Sequence, residues 1–122
     1  MTKEPMTSGR GKFGAFIRQA REAKEIGLRE MAKKITVSPT YLSKIERDEF
    51  PPPAEDKVKA IAEILGFDVD DLLARAGRVS SDISDIIKRR PVELAALLRT
   101  TKGLTTGDIA RLARDARKVK DK

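Results

Sequence analysis

The sequence predicts an all-α protein. Hydrophobic residues make up 39% of the 122 residues, but aromatic residues only 4%, with no Trp. A core of Leu, Ile, Val and Ala suits packed helices better than a β-sandwich. From Phe13 onwards, apolar residues recur every three or four positions, which is the spacing of one helix face. We therefore expect five helices up to about residue 77 and a helical extension beyond them.

The first two helices are predicted from this spacing alone. Residues 1–12 contain two Gly and one Pro among scattered charges and are predicted to be a flexible arm. The first helix should run from Phe13 to about Lys24, and the second, after Gly27, should end near Ile35. Their apolar positions are Phe13, Phe16, Ile17 and Ala20, then Leu28, Met31, Ala32 and Ile35.

The third helix is predicted by its start signals. Ser38 can cap a helix whose first residue is Pro39, the position where proline is favoured. This helix should extend to about Arg47. A loop must follow at residues 48–53, because each residue before a proline is disfavoured in the helical region.

Two further helices complete the predicted domain at residues 13–77. Pro53 can open the fourth, and Gly66 can end it. Asp68 or Asp70 can cap the fifth, which should stop at Gly77. The same "DVDD" stretch lacks the later Gly and Glu of a calcium loop, so helix capping is the preferred interpretation.

Residues 78–81 are predicted to be a linker and residues 82–122 a helical extension that forms a dimer. The extension should contain a segment at residues 82–89, a helix opened by Pro91 and a helix from Thr105 or Thr106 to about Lys118. "GLTTGDIARLA" contains two Thr residues, either of which can cap a helix. We interpret it as a capped helix, and the basic terminus as a solvated helix end rather than a nucleic-acid arm.

Composition excludes several classes of function. The chain has no Cys and no His, which removes disulfides, zinc-finger ligands, thiol nucleophiles and the usual general base. We expect no catalytic residues, no metal, no cofactor and no enzymatic activity. No apolar run approaches the roughly 20 residues of a membrane span, and the start lacks the apolar core of a signal peptide, so a cytoplasmic protein is expected.

Charge is distributed unevenly along the chain. The net charge is +7, and between Arg29 and Arg47 five basic groups face only two acidic ones. The stretch from Glu55 to Asp71 is strongly acidic, so the domain should have one positive and one negative side. Such polarity suits a protein that lays one face on phosphates.

The stretch "IRQAREAKEIGLREMAKKITVSPTYLSKIERDEFPPP", residues 17–53, resembles the Xre/Cro family of phage-repressor-like helix-turn-helix regulators without a gap. "VSPTYLSKIE" is its most specific part, and "FDVDDLL" resembles the family's closing segment. The resemblance covers about residues 13–76 and implies a five-helix repressor-like fold. It also implies that the third helix enters the major groove of double-stranded DNA.

The resemblance assigns roles to individual residues. The family's DNA-facing positions and its phosphate-proximal position fall on Ser38, Pro39, Thr40, Ser43, Lys44 and Arg47. The family's ion pair between the first and third helices falls on Arg21 and Glu46, which we interpret as structural. The sequence departs from the family pattern at the start of the second helix, where Gly27 and Leu28 replace the usual Ser or Thr cap and the phosphate-binding Gln. Three basic residues of the second helix are expected to supply the charge instead: Arg29, Lys33 and Lys34.

These observations predict a sequence-specific transcriptional repressor that binds a pseudo-palindromic operator as a homodimer. One short recognition helix reads too few base pairs to select a genomic site, and symmetry doubles the number read. A second hypothesis remains open: an antitoxin whose extension at residues 82–122 binds a toxin, with DNA binding serving autoregulation. Both hypotheses require DNA as a partner, and they differ in the protein partner.

Overall fold

A computed structural model describes residues 13–121, and the predicted arm at residues 1–12 lies outside them. Within the described residues the chain forms helices only, which confirms the all-α class. The helices are α1 (Phe13–Ala23), α2 (Leu28–Ile35), α3 (Pro39–Glu46), α4 (Glu55–Leu65), α5 (Val69–Arg75), α6 (Ser81–Arg89), α7 (Pro91–Thr100) and α8 (Thr106–Lys120). The chain divides into two compact units, Met1–Ser81 and Asp82–Lys122.

The first unit holds the hydrophobic core. Helices α1 to α5 all contribute to it: α3 packs on α1 and α2, and α4 packs on α2 and α5. The fully buried apolar side chains come from all five helices, and those of α1 and α2 lie at the predicted apolar positions. The largest of them are Ile17, Met31, Leu42, Ile45, Val58, Ile61, Leu72 and Leu73.

Asp48 joins the turn after α3 to the start of α1. It adopts a left-handed conformation (φ 60°), and the Asp48 and Glu49 N–H groups donate to the Ile45 and Lys44 carbonyls, which closes the last turn of α3. The Asp48 carboxylate meanwhile accepts hydrogen bonds from the Gly14 N–H (2.8 Å) and the Ala15 N–H (3.3 Å). A Cβ at Gly14 would overlap the Ile45 carbonyl oxygen, so glycine is needed for this close approach.

The predicted opening of α4 at Pro53 is wrong. The helix begins at Glu55, and the extended Ala54 (φ −61°, ψ 162°) is its N-cap. The reason lies in the tertiary structure, because the Pro52 and Pro53 carbonyls accept hydrogen bonds from the Arg78 guanidinium. These bonds hold the proline segment extended against the residues that follow α5.

The segment after α5 is held by the backbone of the proline segment and by the side chain of Glu55. Besides the Arg78 contacts, Ser80 is buried, and the Ser81 N–H donates to the Glu55 carboxylate at 3.1 Å. Hydrogen bonds from Lys59 and from the Ser81 N–H lower the pKa of Glu55, so this contact is formed at neutral pH and weakens as acid protonates the carboxylate.

The turn between α2 and α3 contains a strained residue, Thr36. Its φ of 63° and ψ of 52° place a β-branched side chain in the left-handed region. The Lys57 ammonium of α4 donates to the adjacent Ile35 carbonyl at 2.9 Å, which holds the turn in place. The position is thus one where a residue without a Cβ would fit better.

We expect Thr36→Gly to raise the free energy of unfolding by about 1 kcal/mol, because the left-handed conformation disfavours Thr more than Gly. Chemical denaturation of the variant and of Thr36→Ala checks this, since Ala keeps the strain and should show no such gain. A loss of stability in Thr36→Gly would mean that the Thr36 side chain contributes more than its backbone costs.

The second unit is helical but has no buried residue among Asp82–Asp121. Its helices α6, α7 and α8 expose large aliphatic side chains, with Ile86, Leu97, Leu98, Ile109 and Leu112 each 45% exposed or more. Thr105, not Thr106, caps α8 in a reciprocal capping box with Asp108. No helix among residues 13–121 is long and apolar enough to cross a bilayer.

Candidate DNA-binding surface

Helix α3 has one buried face and one polar face. Leu42 and Ile45 are buried in the core, and Tyr41 is half-buried at its edge. The Ser38 hydroxyl accepts a hydrogen bond from the Tyr41 N–H at 3.0 Å, so Ser38 acts as the predicted cap. The remaining predicted contact residues of the helix are exposed or half-buried: Pro39, Thr40, Ser43 and Lys44. The helix therefore presents a short polar surface that its own core packing does not use.

Lys44 and Arg47, the two cations at the end of this surface, are held differently. The Lys44 ammonium lies over the Phe50 ring, 5.2 Å from its centroid. Arg47 is the C-cap of α3 and not its last residue. It forms an ion pair with Glu49 at 3.1 Å, and both side chains are about half exposed. An aromatic ring therefore holds the Lys44 ammonium, whereas a carboxylate partly neutralises Arg47.

The basic residues of α2 lie on its solvent side. Arg29, Lys33 and Lys34 are all exposed, and Lys34 is 3.8 Å from Glu30 in a pair spaced one helical turn apart. Gly27 adopts an extended conformation before the helix and provides no side-chain cap. The first N–H groups of α2 are thus left for solvent or a ligand.

Arg21 and Glu46 form a buried, two-pronged ion pair. Arg21 Nε donates to Glu46 Oε2 at 2.8 Å and Arg21 Nη2 to Glu46 Oε1 at 2.9 Å, while Nη1 donates to the Ile26 carbonyl at 2.7 Å. The exposed fractions are 8% for Arg21 and 4% for Glu46. The hydrogen bonds that Arg21 donates to Glu46 raise the pKa of the Arg21 guanidinium, so Arg21 stays charged at every ordinary pH. It ties α3 to α1 and to the turn before α2.

A small pocket of about 240 Å³ opens beside this pair, between α1, α2 and α3. Arg21 and Glu46 line it together with Arg18, Leu28, Ser43 and Arg47. Two predicted contact residues of α3, Ser43 and Arg47, therefore share a concave surface with the first residue of α2. Arg18 was missed by sequence reasoning because only the tertiary packing brings α1 to this edge.

Phe50 is a second residue of the candidate site that the sequence did not indicate. Its ring centroid lies 5.9 Å from that of Tyr41, and it is 41% exposed although it is a large apolar side chain. The signal in the sequence was a single aromatic residue between charges and prolines in "RDEFPPP". Nothing in that pattern indicated that the turn would bring Phe50 back to Lys44.

Three features define a helix-turn-helix DNA-binding protein. They are a five-helix core, a short α2 joined by a tight turn to an α3 whose polar face lies outside the core, and basic side chains beside that face. The family model "Helix-turn-helix domain" matches residues 14–78, more than half of the chain, and the chain belongs to this family. The predicted Xre/Cro resemblance is confirmed. The family is one of DNA-binding regulators and not of enzymes, as predicted.

Several proteins of known sequence or structure are similar to this chain. Two uncharacterized HTH-type transcriptional regulators of Mycobacterium tuberculosis, from strains CDC 1551 / Oshkosh and ATCC 25618 / H37Rv, are each 38% identical over 64 residues, or 52% of this chain. The match spans 45% of each relative. The crystal structure of the clp gene regulator ClgR from Corynebacterium glutamicum is 30% identical, with a TM-score of 0.50, covering 80% of this chain and 97% of that one. A structure of the biofilm regulator SinR with DNA is 34% identical, with a TM-score of 0.46, covering 50% of this chain and 97% of that one.

Proposed function

We propose that the protein is a sequence-specific transcriptional repressor that binds a pseudo-palindromic operator as a homodimer, with α3 in the major groove. The observation that carries this proposal is that the polar face of α3 lies outside the core, whereas Leu42 and Ile45 bury the opposite face in it. A major groove about 12 Å wide accepts one α-helix, and a helix presented in this way can reach base edges.

The residues of this face offer different kinds of contact. Lys44 has the reach and the donors for guanine O6 or N7. Thr40 offers a hydroxyl and a methyl group, and the methyl can contact the methyl group of thymine. Ser38 and Ser43 offer hydroxyls, while Pro39 has no donor and contributes shape.

Phosphates are assigned to the flanking cations. Arg47 with Arg18 and Ser43 lines the small pocket beside the uncapped start of α2, where the positive end of a helix dipole favours an anion. We assign one backbone phosphate to this position, in place of the contact that a Gln at Leu28 would make. Arg29, Lys33 and Lys34 would contact the phosphates next to it.

The two units have separate tasks in this proposal. The domain at residues 13–77 binds DNA, residues 78–81 connect it, and residues 82–122 form the dimer. The exposed aliphatic side chains of α6 to α8 support this division, because short amphipathic helices are marginal until their apolar faces are covered. The same surface is what the antitoxin hypothesis would assign to a toxin.

Selection of bound duplexes from a random pool tests the proposal, followed by salt titrations on the preferred duplex. Affinity should fall steeply between about 50 and 200 mM salt, and each phosphate contact removed should flatten the log–log slope by roughly 0.9. Lys44→Ala should blur the base preference, whereas the matched variant Lys33→Ala should weaken all duplexes alike. No enriched sequence, or an affinity indifferent to salt, would contradict the proposal.

A further inference from the structure

The turn that follows α3 is folded back onto the helix. The N–H groups of Glu49 and Phe50 both donate to the Lys44 carbonyl, at 2.9 and 3.3 Å. This brings Phe50 beside Tyr41, with an angle of 49° between the two rings. Phe50 then lies under the Lys44 ammonium, 5.2 Å from it.

The Phe50 ring restrains Lys44 without neutralising it. A carboxylate at this distance would hold the ammonium but would cancel its charge, as Glu49 partly does for Arg47. The face of an aromatic ring attracts a cation through its quadrupole and leaves the N–H donors that point away from the ring free to bind an acceptor. A restrained side chain also loses less conformational entropy when it binds.

We propose that Phe50 is a positioning residue for DNA recognition, which sets the Lys44 ammonium in the orientation that reads one base pair. The proposal rests on the proposed function, because it assigns a role to Phe50 only through the contact of Lys44 with DNA. It accounts for a large apolar side chain that is 41% exposed next to the recognition surface.

The test is a double-mutant cycle with the full-length chain, read out as discrimination between the preferred duplex and its single-base-pair variants. Phe50→Leu keeps an apolar side chain but removes the ring, and should reduce discrimination at one base pair roughly two- to fivefold, the range of an exposed cation–π contact. Phe50→Tyr should retain wild-type discrimination. The salt slope of Phe50→Leu should stay unchanged, because the Lys44 charge remains.

In a Lys44→Ala background, Phe50→Leu should have no further effect on discrimination. A loss of the same size in that background would overturn the proposal, since Phe50 would then act without Lys44. The NMR signals of the Lys44 ε-methylene group give a second measurement on the free wild-type protein. They should be shifted upfield by the ring, and unshifted signals would also overturn the proposal.

The two proposals fail in different ways. If the wild-type chain prefers no duplex, the proposed function fails and this inference with it. If the wild-type chain is selective and Phe50→Leu is equally selective, with an unchanged melting temperature, the inference alone fails.

Discussion

A chain that ends at Ser81 is expected to bind its operator roughly 10² to 10⁴ times more weakly than the full-length protein, yet to remain folded. The core lies entirely within α1 to α5, and the contacts of Arg78 and Ser81 with Pro52, Pro53 and Glu55 are all kept. What is lost in the proposed dimer is the link between two recognition helices, and linked sites gain affinity by this order of magnitude through effective concentration.

Sedimentation and operator titration of both chains measure the effect. The full-length protein should sediment as a dimer at tens of micromolar and the shorter chain as a monomer that binds a half-site. Fusion of an unrelated dimeric coiled coil after Ser81 is the matched control and should restore much of the affinity when its geometry spans about 34 Å, one turn of DNA. A monomeric full-length chain, or unchanged affinity after truncation, would give residues 82–122 another task and favour the toxin-binding hypothesis.

Glu46→Ala is expected to lower the free energy of unfolding by about 3 to 5 kcal/mol, because it leaves the buried Arg21 guanidinium without its partner. Both side chains are over 90% buried, and two hydrogen bonds join them. The hydrogen bonds that Arg21 donates to Glu46 raise the pKa of Arg21 above its ordinary value, so the contribution of Arg21 is fully present below that ordinary value and should not vary across neutral pH.

Glu49→Ala is the matched control. Its ion pair with Arg47 has a similar separation, 3.1 Å, but both side chains are about half exposed, so the loss should stay below about 1 kcal/mol. Denaturant titrations of both variants, with operator selection on each, make the comparison. A Glu46→Ala protein that keeps its stability but prefers another base would contradict the structural interpretation and place Glu46 among the residues that read DNA.

The order of elements could be predicted from the sequence because their signals are local. Apolar spacing identified the core faces of the helices, and Ser38 with Pro39 located the start of α3 to the residue. The start of α4 could not be predicted in this way. Pro53 is a good first helical residue, but its carbonyl is held by Arg78, which lies 25 residues further along the chain.

The same distinction applies to the candidate site. The sequence indicated the residues that could contact DNA, because the polar positions and the family pattern both lie within the α3 segment. How each of them is held was decided by tertiary structure: the Phe50 ring under Lys44, Glu49 beside Arg47, and Arg18 at the edge of the pocket. These contacts depend on how a turn folds back and how α1 crosses α3, and no short-range pattern encodes that geometry.

The class of this protein could be predicted from the sequence, because helix periodicity and capping are properties of single segments and the absence of Cys and His is a property of composition. Which charges are neutralised and which stay available depends on the tertiary structure. Asp48 shows the reason most clearly: it carries a charge in a charged loop, yet its carboxylate caps α1, 34 residues earlier in the chain. Electrostatic roles depend on distances in space, and only the packed core of α1 to α5 sets those distances.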